Sequence, residues 1–259
     1  MNDNSSWWLF VRFAQREVSN RFAGSLLGGL WALLHPLALL LTYNFVFTSV
    51  MRVRPPPDTT VPFLVFLALA LWPWLVFADS LSRGTLSVVG NAALVKKIPF
   101  AHELVVYAAV AASFALQVAG FVVVLLFVTF SGHELHWTGL PLVVYCLLAL
   151  ACLATGLALL LSALQVFVRD VEQGLAPVLG IVFYLCPIVY TMTMVPDWLR
   201  PWVWLNPVAV LIEGVRSALL KGHAWPGQME ALAGLACIGV LVLGWLVFRR
   251  LSPHFEEAL

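Results

Sequence analysis

The sequence predicts an all-α polytopic membrane protein, and three observations lead there. Of its 259 residues, 62% are hydrophobic and 10% charged, whereas an ordinary soluble domain is about 25% charged. The mean hydropathy is +0.95. The apolar residues also fall in continuous runs of span length, not in the apolar–polar alternation of a membrane β-barrel. The predicted architecture is one domain, 1–259, with six transmembrane helices. An N-terminal amphipathic interface helix precedes them, and two short re-entrant helices come before the last span.

The interface helix is expected over 5–28. Trp7, Val11, Ala14, Val18 and Phe22 recur at helical spacing, and Arg12, Arg16, Ser19 and Asn20 fall on the opposite face. Aromatics on one side and arginines on the other suit a helix lying in the membrane interface. Asp3 and the charges of 12–21 precede the first long apolar run, so no cleavable signal peptide is expected. Residues 22–51 contain no Asp, Glu, Lys or Arg, and the first span is placed at 30–50. The prolines at 55–57 make a rigid turn.

The second span, 61–81, contains Pro73 between Trp72 and Trp74, so a kink is expected there. A polar connector covers 83–103, followed by spans at 104–130 and 140–166 and a tight charged turn at Arg169, Asp170 and Glu172. The last two spans are expected at 175–194 and 231–248. Between them, 197–222 is too broken by proline to cross. Asn206-Pro207 has the form of an N-cap followed by proline at the first helical position, and Gly222 that of a C-terminal stop. A helix between them spans roughly 20 Å against a hydrocarbon core of ~30 Å. This segment is read as helices dipping into one leaflet.

With six spans and the N-terminus inside, nine of the 14 Lys and Arg residues are cytoplasmic and five outside. That balance follows the positive-inside rule and places both termini in the cytoplasm.

Chemistry-bearing motifs are few. The sequence has no Walker A loop, so nucleotide is not expected to bind by a phosphate-cradling loop. His133-Glu134-Leu135-His136 lacks the second histidine at the spacing a zinc protease needs, and both histidines are read as solvated loop residues. The four cysteines lie inside apolar runs and read as buried hydrophobes. No metal or cofactor is expected in this chain.

Transport remains, and here the sequence resembles a known family. Arg16-Glu17, Arg21-Phe22-Ala-Gly-Ser25 and Trp31-Ala32 through Pro36 resemble the N-terminal signature of polysaccharide-exporting ABC-2 type permeases. So do Leu71-Trp-Pro-Trp74 with Asp79-Ser-Leu-Ser-Arg83, Leu94-Val-Lys-Lys97-Ile-Pro99, Val166-Phe-Val-Arg169-Asp170, Pro187-Ile-Val-Tyr190 and Leu205-Asn206-Pro207. The resemblance covers nearly the whole chain and is nearest to O-antigen exporters, with capsule and teichoic-acid exporters as relatives. His35 and the prolines at 55–57 have no match in it.

The resemblance implies a non-enzymatic subunit of the bacterial inner membrane. It implies a homodimer working with two copies of a separate ATPase, which carries ATP and Mg, to export an undecaprenyl-linked glycan. Lys96, Lys97, Ile98, Pro99, Arg169 and Asp170 are then the residues that meet the ATPase; the basic pair alone also satisfies the positive-inside rule, and Arg169 and Asp170 equally fit pairing with a neighbouring span or ending a helix in the headgroups. Arg12, Arg16 and Arg21 either hold the pyrophosphate of the lipid carrier or contact anionic headgroups. Trp31, Trp72, Trp74 and Tyr190 are candidates for the sugar path, since sugars stack on aromatic faces, though such residues also anchor spans at the interface. Asn206, Pro207, Glu213 and Arg216 form the candidate outer gate. Glu213 and Arg216, three apart, can pair on one helix face. Among rival classes, a secondary transporter would carry ionisable residues in mid-span, and only Asp79 comes near. A membrane glycosyltransferase would need acids in the outer loop, where only Asp197 and Glu213 stand near. A small-molecule or lipid ABC-2 exporter stays open.

Overall fold

The computed structural model describes residues 3–52, 61–97 and 100–259, with side chains from Trp7 onward. The proline turn at 55–57, Ile98 and Pro99 lie outside the described residues. Those described form helices and connecting turns, with no strand among them.

α1 runs Asp3–Phe22. The interface helix expected to reach residue 28 stops there because the chain turns through Gly24 (φ +76°) and Gly28 (φ +50°). Glycine takes this left-handed backbone without a Cβ clash. α2 covers Trp31–Phe45 and continues as a π-helical turn, Val46–Val50. α3, Phe63–Gly90, passes through Pro73 without ending. It also extends nine residues past the expected limit of 81, so the first part of the expected 83–103 connector is helix. Arg83 stays on the helix because its guanidinium reaches Asp79 one turn earlier and Glu17 on α1. The connector proper is short: a single turn, α4 (Ala92–Val95), anchored by the fully buried Val95.

α5 (Glu103–Phe130) and α6 (Leu140–Phe167) follow. α7 is Asp170–Leu185, a 16-residue helix about 24 Å long, where 175–194 was expected to span. It starts at Asp170 because acids suit a helix N-terminus, with Glu172 in the same turn. It ends where it does because Cys186, before Pro187, is forced into extended backbone (φ −94°, ψ 142°). Among the described residues, five stretches are long and apolar enough to cross a membrane: Gly28–Val50, Phe63–Gly90, Glu103–Phe130, Trp137–Phe167 and Gln228–Ala258.

α8 (Arg200–Leu205) and α9 (Pro207–Lys221) follow the break. Asn206 Oδ1 accepts from the Val208 N–H at 3.0 Å, and Gly222 closes the helix at φ +73°. α10 (Gln228–Leu251) and a terminal turn, α11 (Phe255–Ala258), complete the chain.

α3 is the central post. It is packed among α5, α6 and α9, with 19 of its 28 residues buried. α10 lies against α6 at backbone distance: a Cβ added to Gly156 would sit 2.6 Å from Leu241 Cα, and one on Gly244 would strike the Gly156 carbonyl. Membrane helices associate through such small residues because lipid supplies little hydrophobic drive between them. α2 is the opposite case, with only 11% of its span buried, so most of its surface faces lipid or another protein. Cys146, Cys186 and Cys237 are buried and Cys152 half-buried, all as free thiols.

Candidate functional site

α2 and α7 flank one face of α3 and leave a groove between them. Its polar end is a cavity of about 220 Å³ reached by Arg21, Trp31, His35, Asp79, Ser82 and Gln117. Leu75 and Ala78 belong both to this cavity and to a second one of about 230 Å³ lined by Tyr43, Trp74, Phe183 and Tyr184. The two therefore adjoin along α3, one polar and one aromatic. Phe183 is the hub of the aromatic part. It stacks on Tyr43 at 5.7 Å, meets Trp74 edge-on at 5.7 Å and Tyr184 at 5.2 Å. Tyr184 is 63% exposed, so its ring is available to a solute. The Tyr190 hydroxyl donates to the Tyr184 carbonyl at 3.0 Å.

The expected aromatic residues separate here. Trp74 lines the groove and Trp31 stands exposed at its polar end. Trp72 is fully buried on the other side of α3, where its Nε1 donates to the Gln117 carbonyl at 3.2 Å. It offers no face to a sugar. Gln117 itself is 5% exposed and its side-chain oxygen has no protein partner, leaving an acceptor beside the polar cavity.

The polar end is organised by Asp79. Arg21 grips it with two bonds, Nη1 to Oδ2 at 2.7 Å and Nη2 to Oδ1 at 3.3 Å. The Ser113 hydroxyl donates to the same carboxylate, and Arg83 lies at 3.9 Å while also reaching Glu17 at 3.7 Å. The cluster ties α1 to α3 and α5. Arg12, Arg16 and Arg21 consequently do not converge on one point. Arg21 is engaged by Asp79, Arg12 stacks over Trp8 at 5.0 Å, and Arg16 is exposed along a separate small cavity beside Asn91.

A different cavity, about 630 Å³, lies on the opposite flank of α2 between Leu33, Leu37, Val65, Val124 and Phe127. Apart from Ser131 and His133 at one end its walls are hydrocarbon, which gives a polar solute nothing to bind. His133, expected in solvent, is instead half-buried with Nδ1 unpartnered. The loop that carries it is fixed by the His136 N–H donating to the Leu219 carbonyl of α9.

Just past the C-terminal end of α7, Arg216 of α9 is 2% exposed. Its Nη2 donates to the carbonyls of Pro187 (2.7 Å) and Ile188 (3.0 Å), and its Nη1 to Glu213 at 2.9 Å. The guanidinium lies 3.8 Å over the ring of Phe66. Burial pushes its pKa down and Glu213 pulls it back up. The carbonyls freed where α7 breaks are thus satisfied by a charge from α9, a partnership that is not visible in helical spacing. Asn206 also reaches this break, its Nδ2 lying 3.4 Å from Cys186 Sγ.

On the face with the connector, Lys96 and Lys97 are exposed just after α4, and Arg169 and Asp170 are exposed at the α6–α7 turn. Among the described residues no group of His, Cys, Asp and Glu is placed to hold a metal.

Sequence reasoning missed Tyr43, Phe183, Tyr184 and Gln117. The usable signal was Asp79, an acid at the end of an otherwise uncharged span, facing an arginine that only the fold reveals.

Comparison with known proteins gives a consistent pattern. Residues 9–220 match the family model described as ABC-2 type transporter. The chain is 30% identical over 256 residues to the O-antigen export system permease protein RfbA of Klebsiella pneumoniae, covering 97% of this chain and 95% of that protein. It is 28% identical to the protein of the same name from Myxococcus xanthus, with the same coverage. It is 24% identical to the polysialic acid transport protein KpsM of Escherichia coli over 90% of both.

Proposed function

Because the chain belongs to the ABC-2 type transporter family, we propose that it is the transmembrane permease of an ATP-driven exporter of a lipid-linked polysaccharide of the O-antigen type. Permeases of this family are not catalytic themselves and work with an ABC ATPase. In this reading two copies of the chain join two copies of the ATPase in the bacterial inner membrane, with six crossings per copy and both termini cytoplasmic. The undecaprenyl-linked glycan is the cargo.

The observation that carries the reading is the pair of adjoining cavities along α3, one polar and one aromatic. A glycan chain is hydroxyl-rich with apolar ring faces, and the adjoining cavities supply both chemistries: Asp79, Ser82 and Gln117 in one, and in the other Tyr43 and the exposed Tyr184, backed by the buried Trp74 and Phe183. Aromatic faces hold sugar rings without demanding one sugar, which suits a path that must pass many residues. The sparse burial of α2 fits a second copy closing the groove. Arg216 suits the outer gate, because it couples the end of α7 to α9. Lys96, Lys97, Arg169 and Asp170, with Ile98 and Pro99 beside them in sequence, suit the face that meets the ATPase.

The test is made in cells lacking the chain. Lipid-linked glycan should accumulate on the cytoplasmic side, and the wild-type chain should restore surface glycan. Phe183→Ala with Tyr184→Ala should insert normally yet restore surface glycan poorly. Full restoration by that pair would remove the groove from the path.

A further inference from the structure

The C-terminal turn after α10 inserts a single side chain into the body of the protein. α10 ends in Arg249, Arg250 and Leu251, and a 3-10 turn at Ser252–His254 leads on into α11. Of residues 252–259 only Phe255 is buried, and it is fully so. Its ring meets Phe248 of α10 at 5.3 Å, Phe167 at the end of α6 at 6.1 Å, and His102 in the connector at 6.0 Å. His102 continues the contact to Phe100 at 5.3 Å, and Phe100 to Phe13 of α1 at 5.5 Å. Arg249 lies 3.6 Å from Glu103, the first residue of α5, so the end of α10 is held on the same side.

Two exposed segments flank this ring. Lys96 and Lys97 precede Phe100 and His102, while Arg169 and Asp170 follow Phe167 by two and three residues. The two segments are far apart in sequence, and Phe255 touches both sides. A tail needed only to cover the end of α6 would have no reason to stack on His102 as well.

We infer that Phe255 is a positioning residue that joins the connector to the α6–α7 turn, so that the two faces offered to the ATPase move as one body and a push on the connector reaches α7. The coupling part rests on the ATP-driven reading above. The mechanical part does not. Packed aromatic rings transmit displacement because protein interiors are close-packed and a gap forfeits the contact.

The experiment therefore has two arms. In the first, the permease alone in nanodiscs is followed by amide hydrogen exchange. Phe255→Ala should speed exchange roughly tenfold both at 94–97 and at 168–171, and Phe255→Leu should restore much of the protection. Acceleration confined to 252–259 would overturn the inference. In the second, the permease with its copurifying ATPase is placed in vesicles, and glycan delivered is measured per ATP hydrolysed. Phe255→Ala should keep the ATPase bound and hydrolysing while glycan per ATP falls roughly three-fold or more. An unchanged ratio would overturn the coupling role. If Phe255→Ala does not insert, His102→Ala removes the connector side of the stack with the tail intact and should lower the same ratio; an unchanged ratio there is equally contrary. A wild-type complex without ATP-driven export would instead refute the transport reading and the coupling role with it, and the exchange arm would still decide whether the two segments form one body.

Discussion

Replacing Arg216 by alanine removes the donor shared by the Pro187 and Ile188 carbonyls and leaves Glu213 without its cation. Breaking a buried charge pair by deleting one partner costs ~3–5 kcal/mol, because the remaining groups stay desolvated and unpaired. Lysine should recover only part of this. An ammonium cannot reproduce a planar fork that bonds two carbonyls, pairs with a carboxylate and lies flat on Phe66. Glu213→Gln should be milder, since that side chain is 27% exposed and water can replace it. Thermal unfolding in nanodiscs gives the order, wild type above Glu213→Gln above Arg216→Lys above Arg216→Ala. Maleimide labelling of the buried Cys186 should speed up in the same sequence, and an Arg216→Ala protein as stable as wild type with Cys186 still protected would contradict the pin. At this scale, local chemistry is legible in the sequence. Asn206 capping α9, Gly222 ending it and Glu213 facing Arg216 are all set by helical spacing. Pairs that bridge distant positions, such as Arg21 with Asp79 or Arg216 with Pro187, need the fold.

The helices themselves were visible as apolar blocks, and apart from those of α9 most of their ends were not. Hydropathy marks where a segment can sit in hydrocarbon, but a helix ends where its backbone stops being satisfied. α3 runs on past 81 because Gly84, Thr85, Ser87 and Val88 are buried, Gly84 close against α5 and α6, and α7 stops at Leu185 because proline at 187 denies the next residue helical backbone. Packing registers were equally hidden, since α10 holds several glycines and only the fold tells them apart. Gly244 faces the Gly156 carbonyl, whereas a Cβ on Gly239 meets nothing within 4 Å. Gly244→Ala should therefore force α10 away from α6 and destabilise by about 1–3 kcal/mol. Gly239→Ala should be neutral or stabilising by up to ~1 kcal/mol through helix propensity alone. Unfolding midpoints of the two variants side by side decide this. Equal losses would mean that the α6–α10 interface is not held at backbone distance.

For the molecule as a whole, composition was enough to establish a helical membrane protein, and ordered motifs were enough to point to its family. The groove was hidden because its walls come from α2, α3 and α7, segments that composition describes alike as apolar. The transport claim is tested most directly in sealed vesicles holding the chain, its partner ATPase and a radiolabelled lipid-linked glycan. ATP should drive the label into a compartment protected from external glycosidase, and no label should move with the permease alone, which should also hydrolyse no ATP. Tyr43→Ala with Tyr184→Ala should leave ATPase binding intact and cut the protected label by roughly an order of magnitude, as expected if stacking on these faces contributes ~0.5–1.5 kcal/mol each. Wild-type accumulation by that variant, or glycan protected without ATP, would contradict a groove-borne, ATP-driven export.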